Sequence, residues 1–230
     1  MLRRLYIAAF LILAACQMMS PSPTPSAPNL QNTGVDSPVI TPTLDPTPLW
    51  AETETNGVTI GCWQPSGWTV DTTDGMLLAE HTVSLDTGEP ISGALIYIFV
   101  PEMDNLEISP GADQNFAMTV LEQVVANPEH TGDDVIMSEL TPFQWGAHQA
   151  AYYLYTTPDS FNSIVIGIAL PNDHERLVVI NATMPMNQAR QMRDMLPRIL
   201  NDLTINGVML GSAALAALPN PLEFPYYPHT

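Results

Sequence analysis

The chain has 230 residues, 46% of them apolar and 13% charged, with 24 acidic side chains, six arginines, no lysine and a formal net charge of −18. The length fits one domain with tails, and the apolar content excludes a chain kept disordered by charge. No basic stripe exists to release counterions from phosphates, which excludes an ordinary nucleic-acid binder, and two cysteines make neither a disulfide scaffold nor a four-thiolate zinc site.

Residues 1–15 read as a bacterial secretion signal: Arg3 and Arg4, an apolar run from Leu5 to Leu13, then small Ala14 and Ala15 before Cys16. The apolar run is too short to span a bilayer. The string Leu13-Ala14-Ala15-Cys16 resembles the lipobox of bacterial lipoproteins. That resemblance implies cleavage before Cys16, transfer of a diacylglyceryl group with palmitate-type chains to its thiol, and a membrane as the first partner. A plain secretory signal with a chance cysteine is the alternative. Several acyl chains on one residue anchor stably, where one chain holds only marginally. Gln17 stands where an aspartate would resemble an inner-membrane retention mark. This points to the outer membrane of a two-membrane bacterium, or the outer face of a single plasma membrane. Cleavage takes the formal charge from −18 to −20 and leaves Arg176, Arg190, Arg193 and Arg198 as the basic residues.

Residues 16–49 hold the anchor cysteine and a linker rich in Pro, Ser and Thr, as in Pro21-Ser22-Pro23-Thr24-Pro25. Such a segment cannot repay its ordering entropy. Extended at about 3.1 Å per residue it reaches up to roughly 100 Å. Residues 50–206 are expected to form the folded unit. Strands are predicted near 58–63, 68–71, 76–83 and 93–100, the last a nearly continuous apolar run closed by Pro101. A helix is predicted over 113–126, with Asp113 as N-cap and Phe116, Val120, Leu121, Val124 and Val125 on one face. Strands are predicted again near 135–142, 147–156, 162–170 and 175–183, separated by turn residues. A final helix is predicted over 187–203, which Pro197 should kink or split. Residues 207–230 form a C-terminal tail, and the sequence leaves open whether it docks.

Short turns between consecutive strands predict a mostly antiparallel sheet, and two amphipathic helices can cover it. The fold class is therefore α+β. The segment Gln64-Pro65-Ser66-Gly67-Trp68-Thr69-Val70, the central helix, the turn at Trp145-Gly146-Ala147-His148-Gln149-Ala150 and the ending Ile199-Leu200-Asn201-Asp202-Leu203 resemble domains of the Mog1/PsbP-like fold. The resemblance spans about residues 58–206. It implies a binding or assembly factor and no enzyme, and it carries no ligand residue over.

The motifs agree with that class. There is no Gly-x-Ser-x-Gly elbow, no phosphate loop, no His-Glu-x-x-His and no Gly-x-Gly-x-x-Gly. No two of His81, His130, His148, His174 and His229 stand three or four residues apart. The best local metal candidates are His130 with Asp133 and Asp134, and His174 with Asp173 and Glu175, but solvated loops are the simpler reading. Asp71 with Asp74-Gly75 lacks the spaced ligands of a calcium loop and reads as a turn. No metal or cofactor site is assigned. Cys62 reads as a small buried hydrophobe rather than a reactive thiol. Trp68, Tyr97, Trp145, Tyr152, Tyr153 and Tyr155 would form a core or a binding platform for sugars or a partner, with the core as default. Met184, Met186, Met192 and Met195 read as filling around the last helix, ahead of a soft copper site or an adaptable groove.

The expectation is a lipid-anchored extracytoplasmic module of the cell envelope, without catalytic residues, that binds or assembles a protein partner. Its acidity favours basic partners. A carrier or sensor of a small ligand or metal ion is the alternative.

Overall fold

The computed structural model describes residues 48–80, 93–103, 115–126, 135–158, 161–170 and 173–227. It is an α+β domain in which every strand pairing is antiparallel. The strands in chain order are β1 (Trp50–Thr55), β2 (Val58–Trp63), β3 (Trp68–Asp71), β4 (Met76–Glu80), β5 (Leu95–Phe99), β6 (Ile136–Met137), β7 (Thr141–Trp145), β8 (His148–Thr156), β9 (Phe161–Leu170), β10 (Asp173–Pro185), β11 (Thr204–Ile205) and β12 (Val208–Met209). Helix α1 covers Phe116–Ala126, and α2 covers Ala189–Ile199 after a 3-10 turn at Met186–Gln188.

A large sheet runs β3-β4-β5-β10-β9-β8, with β6 and β7 both lying along β8. Its strands alternate in two, so each contributes to both faces. One face carries Leu78, Ile96, Ile98, Ile164, Ile166, Ile168, Val178 and Ile180, and it is covered by α2, a small sheet and the C-terminal segment. The other carries Tyr153, Tyr155, Val165, Leu177 and Val179, packed against Phe116, Ala117, Val120 and Leu121 of α1. Gly167 lies under this helix: a Cβ there would meet Leu121 Cδ1 and Leu177 Cδ2 at 3.2 Å. The bare backbone lets α1 approach the sheet.

The small sheet, β1-β2-β11-β12, is made from both ends of the domain. Two Asn-Gly turns close it. Asn56 and Gly57 have φ of 48° and 73°, and Asn206 and Gly207 have 50° and 74°, the left-handed pair that a two-residue hairpin needs. Asn206 also accepts a hydrogen bond from the Thr59 amide at its Oδ1, 3.0 Å, which ties the second hairpin to the first. The chain passes from β2 to the large sheet through Pro65-Ser66-Gly67-Trp68. There the Trp68 amide donates to the Pro65 carbonyl at 3.1 Å and Gly67 takes φ +80°.

Several boundaries differ from expectation. β1, β11 and β12 were not predicted. The single strand expected at 135–142 divides into β6 and β7, because Ser138 turns its side chain inward to accept the Leu154 amide at 2.9 Å. Helix α1 begins at Phe116, where the Asn115 carboxamide oxygen accepts the Met118 amide at 3.2 Å. Asp113 lies outside the described residues. Helix α2 ends at Ile199 and is not split. Pro197 sits in its last turn, where the helix is ending anyway. Residues 204–205, just beyond the expected helix, are strand.

The tail docks. The Trp145 indole donates to the Gly211 carbonyl at 2.7 Å, the Arg193 guanidinium to the Leu218 carbonyl at 3.2 Å, and the Thr156 hydroxyl to the Pro225 carbonyl at 2.8 Å. Leu215, Leu218 and Leu222 are buried in the larger core. Residues 210–227 thus strap the face that α2 leaves uncovered.

Candidate functional site

β1 alternates strictly: Trp50, Glu52 and Glu54 face out, while Ala51 packs on the core. β2 does the same, with Val58, Ile60 and Cys62 inside and Trp63 out. The register sets Trp50 opposite Trp63, and Glu52 opposite Gly61. The row continues through Thr204 to Met209. The two indoles meet edge to face, centroids 5.3 Å apart at 74°. They remain 40% and 46% exposed.

Gly61 makes this arrangement fit. A Cβ at that position would lie 2.5 Å from Trp50 Cζ2 and 2.9 Å from Thr204 Oγ1. The Trp50 ring therefore lies across the bare backbone of β2. Its Nε1 hydrogen points at Glu52 Oε2, 3.4 Å away. Of the six large apolar side chains exposed among the described residues, Leu49, Trp50, Trp63, Val208 and Met209 all belong to this sheet or its entrance, and Tyr226 is the sixth. Monomeric proteins seldom gather such residues without a use for them. The patch also stands where residues 16–49 enter the domain.

The electrostatics of the face are one-sided. Glu52 and Glu54 project from it. Arg190, Arg193 and Arg198 are on α2. Arg176 reaches only the far end, where it donates to the Gly57 carbonyl at 3.1 Å.

The residues weighed from sequence sit elsewhere. Trp68, Trp145, Tyr152, Tyr153 and Tyr155 are buried and Tyr97 is half-buried, so they are core rather than an open platform. Tyr97 donates its hydroxyl to the Asp74 carbonyl, and burial followed by the Asp74 charge pushes its pKa up to about 12. Burial raises Tyr153 too, with Tyr155 adding to it. Cys62 is buried with its Sγ 3.3 Å from Met76 Sδ, and burial, then Asp202, pushes the thiol up to about 11. It stays protonated and unreactive at neutral pH. Met184, Met192 and Met195 fill the larger core, and Met186 is half-buried at the start of the 3-10 turn. His148 is buried with Nδ1 3.1 Å from the Ala169 carbonyl. Asp71 accepts the Thr73 amide and hydroxyl at 2.8 and 2.6 Å, a turn and not a calcium ligand. Cys16, His81, His130, Asp133, Asp134 and His229 lie outside the described residues, as do the side chains of Asp173, His174 and Glu175. Among the described residues no three His, Cys, Asp or Glu side chains are grouped to hold a metal, and no helix is long and apolar enough to cross a membrane.

A second polar feature lies on the α1 face of the large sheet. Ser163 and Thr183 share a 2.8 Å hydroxyl contact, and the Asn181 Nδ2 hydrogen faces Tyr155 Oη at 3.4 Å. Asn181 is buried, and its Oδ1 has no partner among the described residues. These groups are neutral and in cross-strand register, Thr183 opposite Ser163 and Ser163 opposite Tyr155. They form no acid–base or nucleophile pair that would carry out a reaction.

The Trp50–Trp63 pair escaped the sequence reading because β1 did. The signal was present: Asn56-Gly57 between two alternating runs is the strongest short-range mark of a hairpin.

No protein-family model matches the sequence, and no curated protein matches it. Among solved structures the chain is similar to LpqN of Mycobacterium tuberculosis, described as involved in cell envelope biogenesis, at 11% identity over 70% of this chain and 92% of that one, TM-score 0.44. It is also similar to the cyanobacterial PsbP of Synechocystis, at 9% identity over 72% and 96%, TM-score 0.38. A third is the Ran-binding protein Mog1p of Saccharomyces cerevisiae, at 12% identity over 65% and 84%, TM-score 0.36. At these scores the overlap is loose and carries no functional conclusion to this chain.

Proposed function

We propose that this protein is a non-catalytic binding or assembly module of the cell envelope, lipid-anchored outside the cytoplasm through Cys16, that engages a protein partner on the outer face of its small sheet. One observation carries the reading: Trp50 and Trp63 meet edge to face there while staying exposed, with exposed Met209 further along the same face. Large, half-exposed aromatics supported from beneath are what interface hot spots are made of. Among the described residues no three His, Cys, Asp or Glu side chains are grouped to hold a metal. The lipobox-like string at residues 13–16 supports the anchor.

The test is site-directed photocrosslinking in intact cells from position 204, beside the two indoles and not part of them. A discrete crosslinked protein that disappears in Trp50→Ala supports the module. A chain that yields no crosslinked protein from this face overturns it. For the anchor, Cys16→Ser should release the protein from membranes and abolish incorporation of a labelled fatty acid. Retention on the membrane by the Ser variant would sink that part of the reading.

A further inference from the structure

The partner's chemistry can be taken one step further, resting on the reading above. Among the described residues β1 is an edge strand: in the small sheet it pairs with β2 alone. An open edge invites another extended chain, and proteins guard such edges with charged side chains, lysine above all, or with proline. Between Trp50 and Thr55 the guarding charges are Glu52 and Glu54, which turn away acidic chains and leave the edge to cationic ones. Both acids share the outer face with the indoles, and they stand two residues apart, about 7 Å along the strand. A strand added alongside presents its own alternate side chains at the same spacing.

The charge decides which chain can use this edge. A second copy would bring its own Glu52 and Glu54 against these, and like charges opposite each other on adjacent strands repel. An anionic lipid surface meets the same repulsion. A cationic side chain gains twice: from the carboxylates, and from the faces of Trp50 and Trp63, since indole is the best cation–π partner among side chains.

We infer that the free edge of β1 and the indole–carboxylate face beside it take an extended, arginine- or lysine-bearing segment of a partner protein by strand addition.

The full chain, purified in a neutral detergent, is titrated with three acetylated, amidated octapeptides alternating valine with arginine, serine or glutamate, and with a chitin oligosaccharide. The readouts are anisotropy of labelled peptide and the fluorescence of the exposed indoles. The arginine peptide should bind, weaken as salt is raised, and lose about tenfold or more in affinity in Glu52→Gln/Glu54→Gln. That double variant exchanges exposed isosteres and should keep the fold, which circular dichroism checks. Equal binding of the serine peptide, insensitivity to the double variant, or a response to the oligosaccharide alone would each overturn the inference. If the in-cell crosslink still captures a partner while the arginine peptide fails, the cationic strand falls and the binding module stands. If both fail, both readings fall.

Discussion

Cys62 and Tyr97 show how burial sets chemistry at single positions. Neither ionises easily, because each would have to place an anion in a poorly hydrated site beside a carboxylate, Asp202 for the thiol and Asp74 for the phenol. The consequence for stability has a definite sign. Both groups are neutral when protonated, and the folded state holds the proton more tightly than the unfolded one. Below the unfolded values of 9.0 and 10.0 the two states bind equal numbers of protons, so nothing changes with pH. As pH rises from 9.0 towards about 12, the unfolded chain ionises first and folding loses ground. Denaturation midpoints measured from neutral to strongly alkaline pH should fall across this window, and the fall should shrink in Cys62→Ala/Tyr97→Phe. A flat profile for the parent would contradict the burial of both groups.

At the scale of elements, α1 depends on what lies beneath it. Gly167→Val would push γ-methyls into Leu121 and Leu177, which already sit at the limit of contact for a Cβ. Overpacking of this kind costs about 1–3 kcal/mol. The loss should appear in chemical denaturation, with Gly167→Ala falling between parent and valine variant. The elements also divide by how legible they are in sequence. β5, β8, β9 and β10 are long, apolar and bounded by turn residues, so their pattern alone locates them to within about two residues. β1 is polar on one face and lined with Ala51, Thr53 and Thr55 on the other, so its alternation carries little hydrophobic contrast. β11 and β12 have two residues each, and periodicity has nothing to act on. What makes them strands is the pairing of β11 with β2, 143 residues away in the chain at Thr204 and Gly61, and of β12 with β11 across the Asn206-Gly207 turn. The candidate site shared that fate. Trp50 and Trp63 look unremarkable until the hairpin register sets them side by side, whereas Trp68 and Trp145, in more apolar settings, turn inward. The helix end was misjudged for a similar reason: Leu200 and Leu203 continue the apolar spacing of α2, yet they reach the core from a turn.

For the whole molecule, the C-terminal segment is a structural member. Leu215, Leu218 and Leu222 enter the same core as β8, β9 and α2, and Trp145 hangs its indole hydrogen on Gly211. Ending the chain after Met209 would expose that face of the core. Burial of each leucine is worth about 1.5–3 kcal/mol, so the truncated protein should lose at least about 4 kcal/mol, or fail to fold. Comparison of urea midpoints decides between these and an unchanged stability, which would mean that the tail rests on the domain without holding it. The small sheet draws one strand pair from each end of the folded region, so the two ends of the domain stand or fall together.

The tether proposed from Cys16 and the proposed docking face meet at the start of β1. Residues 16–49 lead straight into Trp50, the first position of an edge strand whose partner β2 runs antiparallel to it. A pull along the tether, with the domain held from elsewhere, therefore loads that hairpin from its open end. Ladder contacts loaded this way give way one after another, not all together, beginning at the Gln64 amide on the Leu49 carbonyl and Trp50 against Trp63, and ending at the Asn56-Gly57 turn. If residues 16–49 carry the proposed tether, tension along it would part the two indoles before it disturbed the large sheet.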